Sequence, residues 1–95
     1  MKPFRGPKTE SILKRELNNI LLRDFEFENT LVTITSVEVS SDLLQAKVRV
    51  SIIPEDRGAE VIITLEDKKR ELQHRLLKKT RLRSIPRLKF EVETY

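Results

Sequence analysis

A chain of 95 residues, 38% hydrophobic and 36% charged, has room for one domain with a modest core and a heavily charged exterior, because a chain of this size buries roughly two-thirds of its unfolded surface. It contains no cysteine, which excludes disulfides, thiolate metal sites and a cysteine nucleophile and is compatible with the cytoplasm. The formal charge of +4 is uneven: residues 1–47 carry seven cations and seven anions, residues 48–95 twelve and eight, a bias that points to nucleic acid or a membrane surface.

Residues 1–8, MKPFRGPK, hold two prolines and a glycine and read as a flexible basic lead-in to a single domain spanning 9–95. No uncharged apolar stretch follows, so a signal peptide is not expected, and no apolar run approaches the ~20 residues of a membrane span. The first helix is predicted from about Thr9 to Arg23. Thr9 serves as its N-cap, and Glu10 suits the positive end of the helix and lies four residues before Lys14 in the favourable order. Ile12, Leu13, Leu17, Ile20 and Leu21 share one face and make a buried stripe. The following DFEFENT segment, Asp24 to Thr30, reads as a connection whose Phe25 and Phe27 fold back on the core. Asp24, Glu26 and Glu28 would repel the phosphates of any nucleic acid that tried to stack there.

The first strand, Leu31 to Val39, is rich in β-branched residues, but its phase changes. Val32 and Ile34 share one parity, Val37 and Val39 the other, and a regular strand cannot bury both pairs on one face. A bulge near Thr35–Ser36 would re-phase it. Ser40 to Leu44 is a turn in which Asp42 bonds backbone amides ahead of it, a structural role. The second strand, Gln45 to Ile53, alternates cleanly, with Ala46, Val48, Val50 and Ile52 inward and Lys47, Arg49 and Ser51 outward. The two strands are expected to form an antiparallel hairpin with one covered face.

Pro54 to Gly58 is a loop by composition. The second helix is predicted from near Ala59 to about Lys79, with its start left open by the β-prone Val61–Thr64 run. Its stripe is Val61, Ile62, Leu65, Leu72 and Leu76. The middle position falls on Lys68 and Lys69, which predicts a kink or a break. Thr80 to Pro86 returns the chain, and a third strand, Arg87 to Glu93, turns Leu88, Phe90 and Val92 inward and Lys89, Glu91 and Glu93 outward. The order is α-β-β-α-β with the last helix kinked or broken. It predicts a two-layer α+β domain, a three-stranded sheet with helices on one face. If the second and third strands run parallel, the crossover between them is right-handed.

The stretch Lys68–Phe90, KKRELQHRLLKKTRLRSIPRLKF, holds ten of the nineteen lysines and arginines and one carboxylate, Glu71. It is the candidate RNA-binding segment, through Lys68, Lys69, Arg70, Arg75, Lys78, Lys79, Arg81 and Arg83. Glu66 lies four before Arg70 and Glu71 four before Arg75; such surface pairs are worth only ~0.3–0.5 kcal/mol and a phosphate can compete for them. Lys68, Lys69, Lys78, Lys79, Arg81 and Arg83 have no such partner in sequence. The helix dipole accounts for one or two cations at the helix end, not for the whole run. Few aromatics accompany it, which disfavours base stacking and favours recognition of a structured RNA by shape and backbone.

No catalytic constellation stands out, and no enzyme activity is expected. His74 is the single histidine, so a nitrogen–sulfur metal site is unsupported. Gly6 and Gly58 are the only glycines, so there is no glycine-rich phosphate loop. No DNA-recognition helix is visible. The lysines intruding on the second helix's apolar stripe argue against an interfacial membrane helix.

The element order and four strings resemble those of the ribosome-binding factor A family, bacterial assembly factors of the small ribosomal subunit. The strings are Leu31–Ser40 (LVTITSVEVS), Asp42-Leu43, Ala46–Ser51 (AKVRVS) and Leu82–Phe90 (LRSIPRLKF), the last similar to the family's leucine–arginine…proline…leucine–x–phenylalanine signature. The first helix, Ile12 to Leu22, also fits, and the likeness covers roughly residues 9–92. It implies a type II KH-like fold and a cytoplasmic, non-enzymatic monomer that needs no cofactor. It also implies binding to small-subunit ribosomal RNA and the free small ribosomal subunit, away from membranes, in support of late rRNA maturation. One departure stands out. Where the family has an Ala-x-Gly kink between its two C-terminal helices, this chain has Lys68-Lys69-Arg70, so the kink either persists without glycine or the helix runs straighter. The family's usual C-terminal extension has no counterpart in this sequence. A second reading is a KH-like protein-interaction scaffold that has lost RNA contact.

Overall fold

The computed structural model describes residues 6–93. The chain runs α1 (Gly6–Asp24), β1 (Leu31–Val39), β2 (Gln45–Ile53), a short 3-10 turn (Glu55–Arg57), α2 (Gly58–Asp67), α3 (Lys69–Lys79) and β3 (Arg87–Val92). The sheet order is β1-β2-β3, with β1 antiparallel and β3 parallel to β2. This is the α-β-β-α-β order expected, with the second helix broken. No helix of the described residues is long and apolar enough to cross a membrane.

α1 begins three residues before the predicted start. Gly6, Pro7 and Lys8, expected in the lead-in, form its first turn; proline is tolerated there because first-turn amides have no intrahelical acceptor. Residues 1–5 of the lead-in lie outside the described residues. Thr9 is therefore inside the helix and not its N-cap. Glu10 turns to the sheet rather than to Lys14, its Oε2 accepting the Val39 N–H at 2.7 Å. Leu13, Leu17, Ile20 and Leu21 are buried as their spacing requires, and Ile12 is half-buried. Phe25 and Phe27 stack with ring centroids 5.9 Å apart and pack on the core. Asn29 adopts φ 50°, in the left-handed region that asparagine tolerates better than most residues.

The bulge falls at Thr35. The register runs Val32↔Ile52 and Ile34↔Val50, then resumes at Ser36↔Arg49 and Val37↔Val48, leaving Thr35 unpaired. One extra residue thus lets Ile34, Val37 and Val39 all reach the core. Thr35 uses its freed side chain to cross the sheet, donating from Oγ1 to Glu93 Oε2 at 3.0 Å. In the β1–β2 turn Asp42 Oδ1 accepts from the Leu44 N–H at 3.0 Å and from the Ser40 hydroxyl at 2.6 Å. The Ser40 hydroxyl, and after it the Leu44 amide, hold the Asp42 carboxyl below its ordinary pKa.

The core lies between the sheet and the helices. Ala46, Val48, Val50 and Ile52 of β2 and Leu88 and Phe90 of β3 meet Val61 and Leu65 of α2 and Leu72 and Leu76 of α3. Val92, expected inward, is 40% exposed because it closes the short edge strand where coverage runs out. α2 packs on β3, whereas α3 packs chiefly on α1. The two helices have different partners, which is why the predicted long helix breaks between them. The break is at Lys68, with φ −96° and ψ 7°. Its N–H still bonds Thr64 O at 3.0 Å and its carbonyl accepts from Leu72 N at 2.9 Å. A negative φ in the bridge region is open to any residue, so the kink survives without the family's glycine.

Candidate nucleic-acid interface

α3 sets the geometry of the basic segment. Leu72 and Leu76 are fully buried and fix the helix's inner face, each burial worth roughly 1.5–3 kcal/mol. Helical periodicity then places Arg70, His74, Leu77 and Lys78 on the outer face, and all four are exposed. Arg70 and Lys78, two turns apart, are separated by about 12 Å along the axis. Arg81 is exposed in the return loop, past Thr80, where the backbone has already left helical geometry with φ −113° and ψ 168°. Lys68 stands exposed at the break, one residue before α3, whose start has no side-chain cap. Lys78 and Lys79 are exposed in the last turn, where the negative end of the helix dipole also favours them. Arg83 is exposed in the return loop.

Two of the eight candidates are tied down. Lys69, expected to lack a partner, is half-buried and its Nζ lies 2.5 Å from Glu66 Oε2. Glu66 was expected to pair with Arg70; instead it engages the residue three ahead, and its other oxygen lies 3.5 Å from the Phe90 amide of β3. Arg75 pairs with Glu71 as its spacing predicts, at 3.0 Å, and also with Asp24 at the end of α1. The Asp24 contact joins residues 51 apart and has no local sequence signal. Among the described residues no ion pair includes Lys68, Arg70, Lys78, Arg81 or Arg83.

A second group of cations was overlooked. On the sheet face away from the helices, Lys47 of β2 is the direct cross-strand partner of Lys89 of β3, and Arg87 lies two residues before Lys89. All three are exposed. The strand alternation marked Lys47 and Lys89 as outward; their adjacency follows only from the parallel register of two strands 42 residues apart at Lys47 and Lys89, well beyond local pattern.

This geometry defines a two-layer, KH-like α+β domain with its helices on one face of a three-stranded sheet. Residues 5–95 match the family model described as ribosome-binding factor A. The chain belongs to that family. It is 34% identical over 89 residues to the ribosome-binding factor A of Akkermansia muciniphila, covering 94% of this chain and 71% of that protein. It is 36% identical over 94 residues to that of Coprothermobacter proteolyticus, covering 98% and 69%. The crystal structure of ribosome-binding factor A from Thermus thermophilus superposes with a TM-score of 0.75 at 30% identity, covering 92% of this chain and 94% of that one. A homology model of the same Thermus protein, fitted into a cryo-electron-microscopy map of its complex with 30S, matches with a TM-score of 0.70 at 31% identity, covering 86% and 88%.

Proposed function

We propose that this chain binds the free small ribosomal subunit during its maturation, holding structured small-subunit ribosomal RNA by its phosphate backbone. The single observation that carries this reading is that exposed Arg70 and Lys78 on the outer face of α3, and exposed Arg81 in the loop that follows it, have no ion-pair partner among the described residues. Lys68, Lys79 and Arg83 flank these three and extend the positive surface. Family membership and the 30S complex of the Thermus relative support the choice of target. Arg75 and Lys69, engaged with carboxylates, serve the fold first. The chain acts as a monomeric binding module, and its contacts are electrostatic and independent of base sequence.

The test is co-sedimentation of the purified protein with free small subunits. The triple variant Arg70→Glu, Lys78→Glu, Arg81→Glu should fold normally, since all three positions are exposed, and should fail to co-sediment. With about six phosphate contacts, wild-type affinity should fall by roughly 10³-fold or more between 50 and 200 mM salt. Unchanged binding by the variant together with a flat salt response would favour the protein-interaction scaffold instead.

A further inference from the structure

We infer that the open face of the sheet carries a second site for an RNA phosphodiester backbone, centred on Lys47, Arg87 and Lys89, so that one protein engages two RNA segments. The inference extends the proposed function, since it takes the helical side to be the first RNA surface.

Lys47 and Lys89 are in-register partners on adjacent parallel strands, so their backbones are about 4.8 Å apart. Like charges placed directly opposite each other are destabilising. Arg87 sits on the same face of β3, about 6.6 Å along the strand from Lys89. The anions facing this group are Glu38, across β1 from Lys47, and Glu91, the next same-face residue on β3. Neither forms an ion pair with it, and no ion pair among the described residues includes Lys47, Arg87 or Lys89. Three exposed cations are therefore held together by strand register at an unfavourable mutual distance.

Protection of a sheet edge by charge explains cations on β3, which is an edge strand. It does not explain Lys47, which is on the central strand. An anion bridging Lys47 and Lys89 relieves their repulsion, and a row of phosphates matches a row of cations that runs along β3 from Arg87 to Lys89. The helices occupy the other face of the sheet, so this surface and the outer row of α3 look in different directions. An A-form RNA can lie on each without contact between them.

The test uses a 12-base-pair RNA duplex at low salt, with calorimetric stoichiometry and amide chemical shifts as readouts. Wild-type protein should bind two duplexes. Lys47→Gln with Lys89→Gln should bind one and lose the amide shifts of β2 and β3. Its melting temperature should be unchanged or higher, because a like-charge pair has been removed. In co-sedimentation with small subunits the same variant's log–log salt slope should fall by about two, one for each lost phosphate contact. The α3 triple variant should retain the sheet-face shifts. One duplex per wild-type protein, with no shift in β2 or β3, would overturn the inference while leaving the α3 reading intact. Loss of the α3 shifts alone would sink the proposed function and spare the sheet site. Weaker subunit binding by the sheet variant with both duplexes still bound would mean that this face meets a protein, and would also overturn it.

Discussion

Asn18 of α1 completes both backbone hydrogen bonds of Ile34. Its Nδ2 donates to the Ile34 carbonyl at 3.1 Å and its Oδ1 accepts the Ile34 N–H at 2.8 Å. A single amide side chain thus does the work of a neighbouring strand on the free border of β1, one residue before the bulge. Exposed strand borders invite pairing with other chains, and Glu10 covers Val39 on the same border. Asn18→Ala should lower stability by about 1–3 kcal/mol, since it leaves a donor and an acceptor part-buried and unpaired. Asn18→Asp keeps the acceptor and loses the donor, so it should fall between the two. Urea unfolding of the three proteins gives the ranking. A loss under about 0.5 kcal/mol for the alanine variant would show that water replaces the side chain at no cost.

The division of the basic segment into paired and unpaired cations makes opposite predictions for similar substitutions. Arg75→Gln breaks contacts to Asp24 and Glu71 that are only partly shielded from solvent, so it should cost at most about 1 kcal/mol of stability and leave small-subunit affinity nearly unchanged. Arg70→Gln should leave stability unchanged and weaken binding, lowering the salt slope by about one. Thermal melts and binding isotherms measured on both variants settle the assignment. Equal binding losses would erase the distinction between the two arginines.

The break between α2 and α3 should not respond to a glycine placed at position 70. Lys68 has a negative φ, and Arg70 is an exposed second residue of α3. Arg70→Gly should therefore cost up to about 1 kcal/mol through helix propensity alone. It should leave the Lys68 amide shift and the contacts of Leu65 and Leu72 in place. A gain in stability would indicate that arginine is strained there.

Asp42 supplies the pH dependence that the turn builds in. Its folded pKa is depressed, chiefly by the Ser40 hydroxyl. A depressed carboxyl pKa means that the unfolded chain takes up the proton first on acidification. The contribution is therefore present above the unfolded value of about 3.9 and is lost as pH falls through the folded value. Ser40→Ala should raise the Asp42 pKa toward its ordinary value and flatten this part of the acid limb. An NMR titration of the Asp42 carboxyl checks it; an unshifted midpoint in the variant would assign the effect to the Leu44 amide.

Much of this fold is legible in the residues because its elements obey local periods. The alternation of β2, the stripe of α1 and the parity change in β1 each follow from spacing within about ten residues, and each appears where the pattern puts it. The start of α1 was misread because Gly6-Pro7 looks like a turn, although proline fits the first turn of a helix equally well. The site was less legible. Exposure of Arg70 and Lys78 follows from helical phase against Leu72 and Leu76. The Arg75–Asp24 contact and the Lys47–Lys89 adjacency depend on how distant segments dock. Glu66 chose Lys69 over Arg70 because its carboxylate is drawn toward the Phe90 amide, a tertiary preference that spacing alone does not encode.

Thr35 finally makes β1 a strand of two halves with opposite handed-in sides. Excising that one residue would bring Ile34, Val37 and Val39 into a single parity along a regular strand, keeping all three inward and losing only the bulge and the tether to Glu93. A single-codon deletion there should therefore spare the interior, with Ile34, Val37 and Val39 still buried.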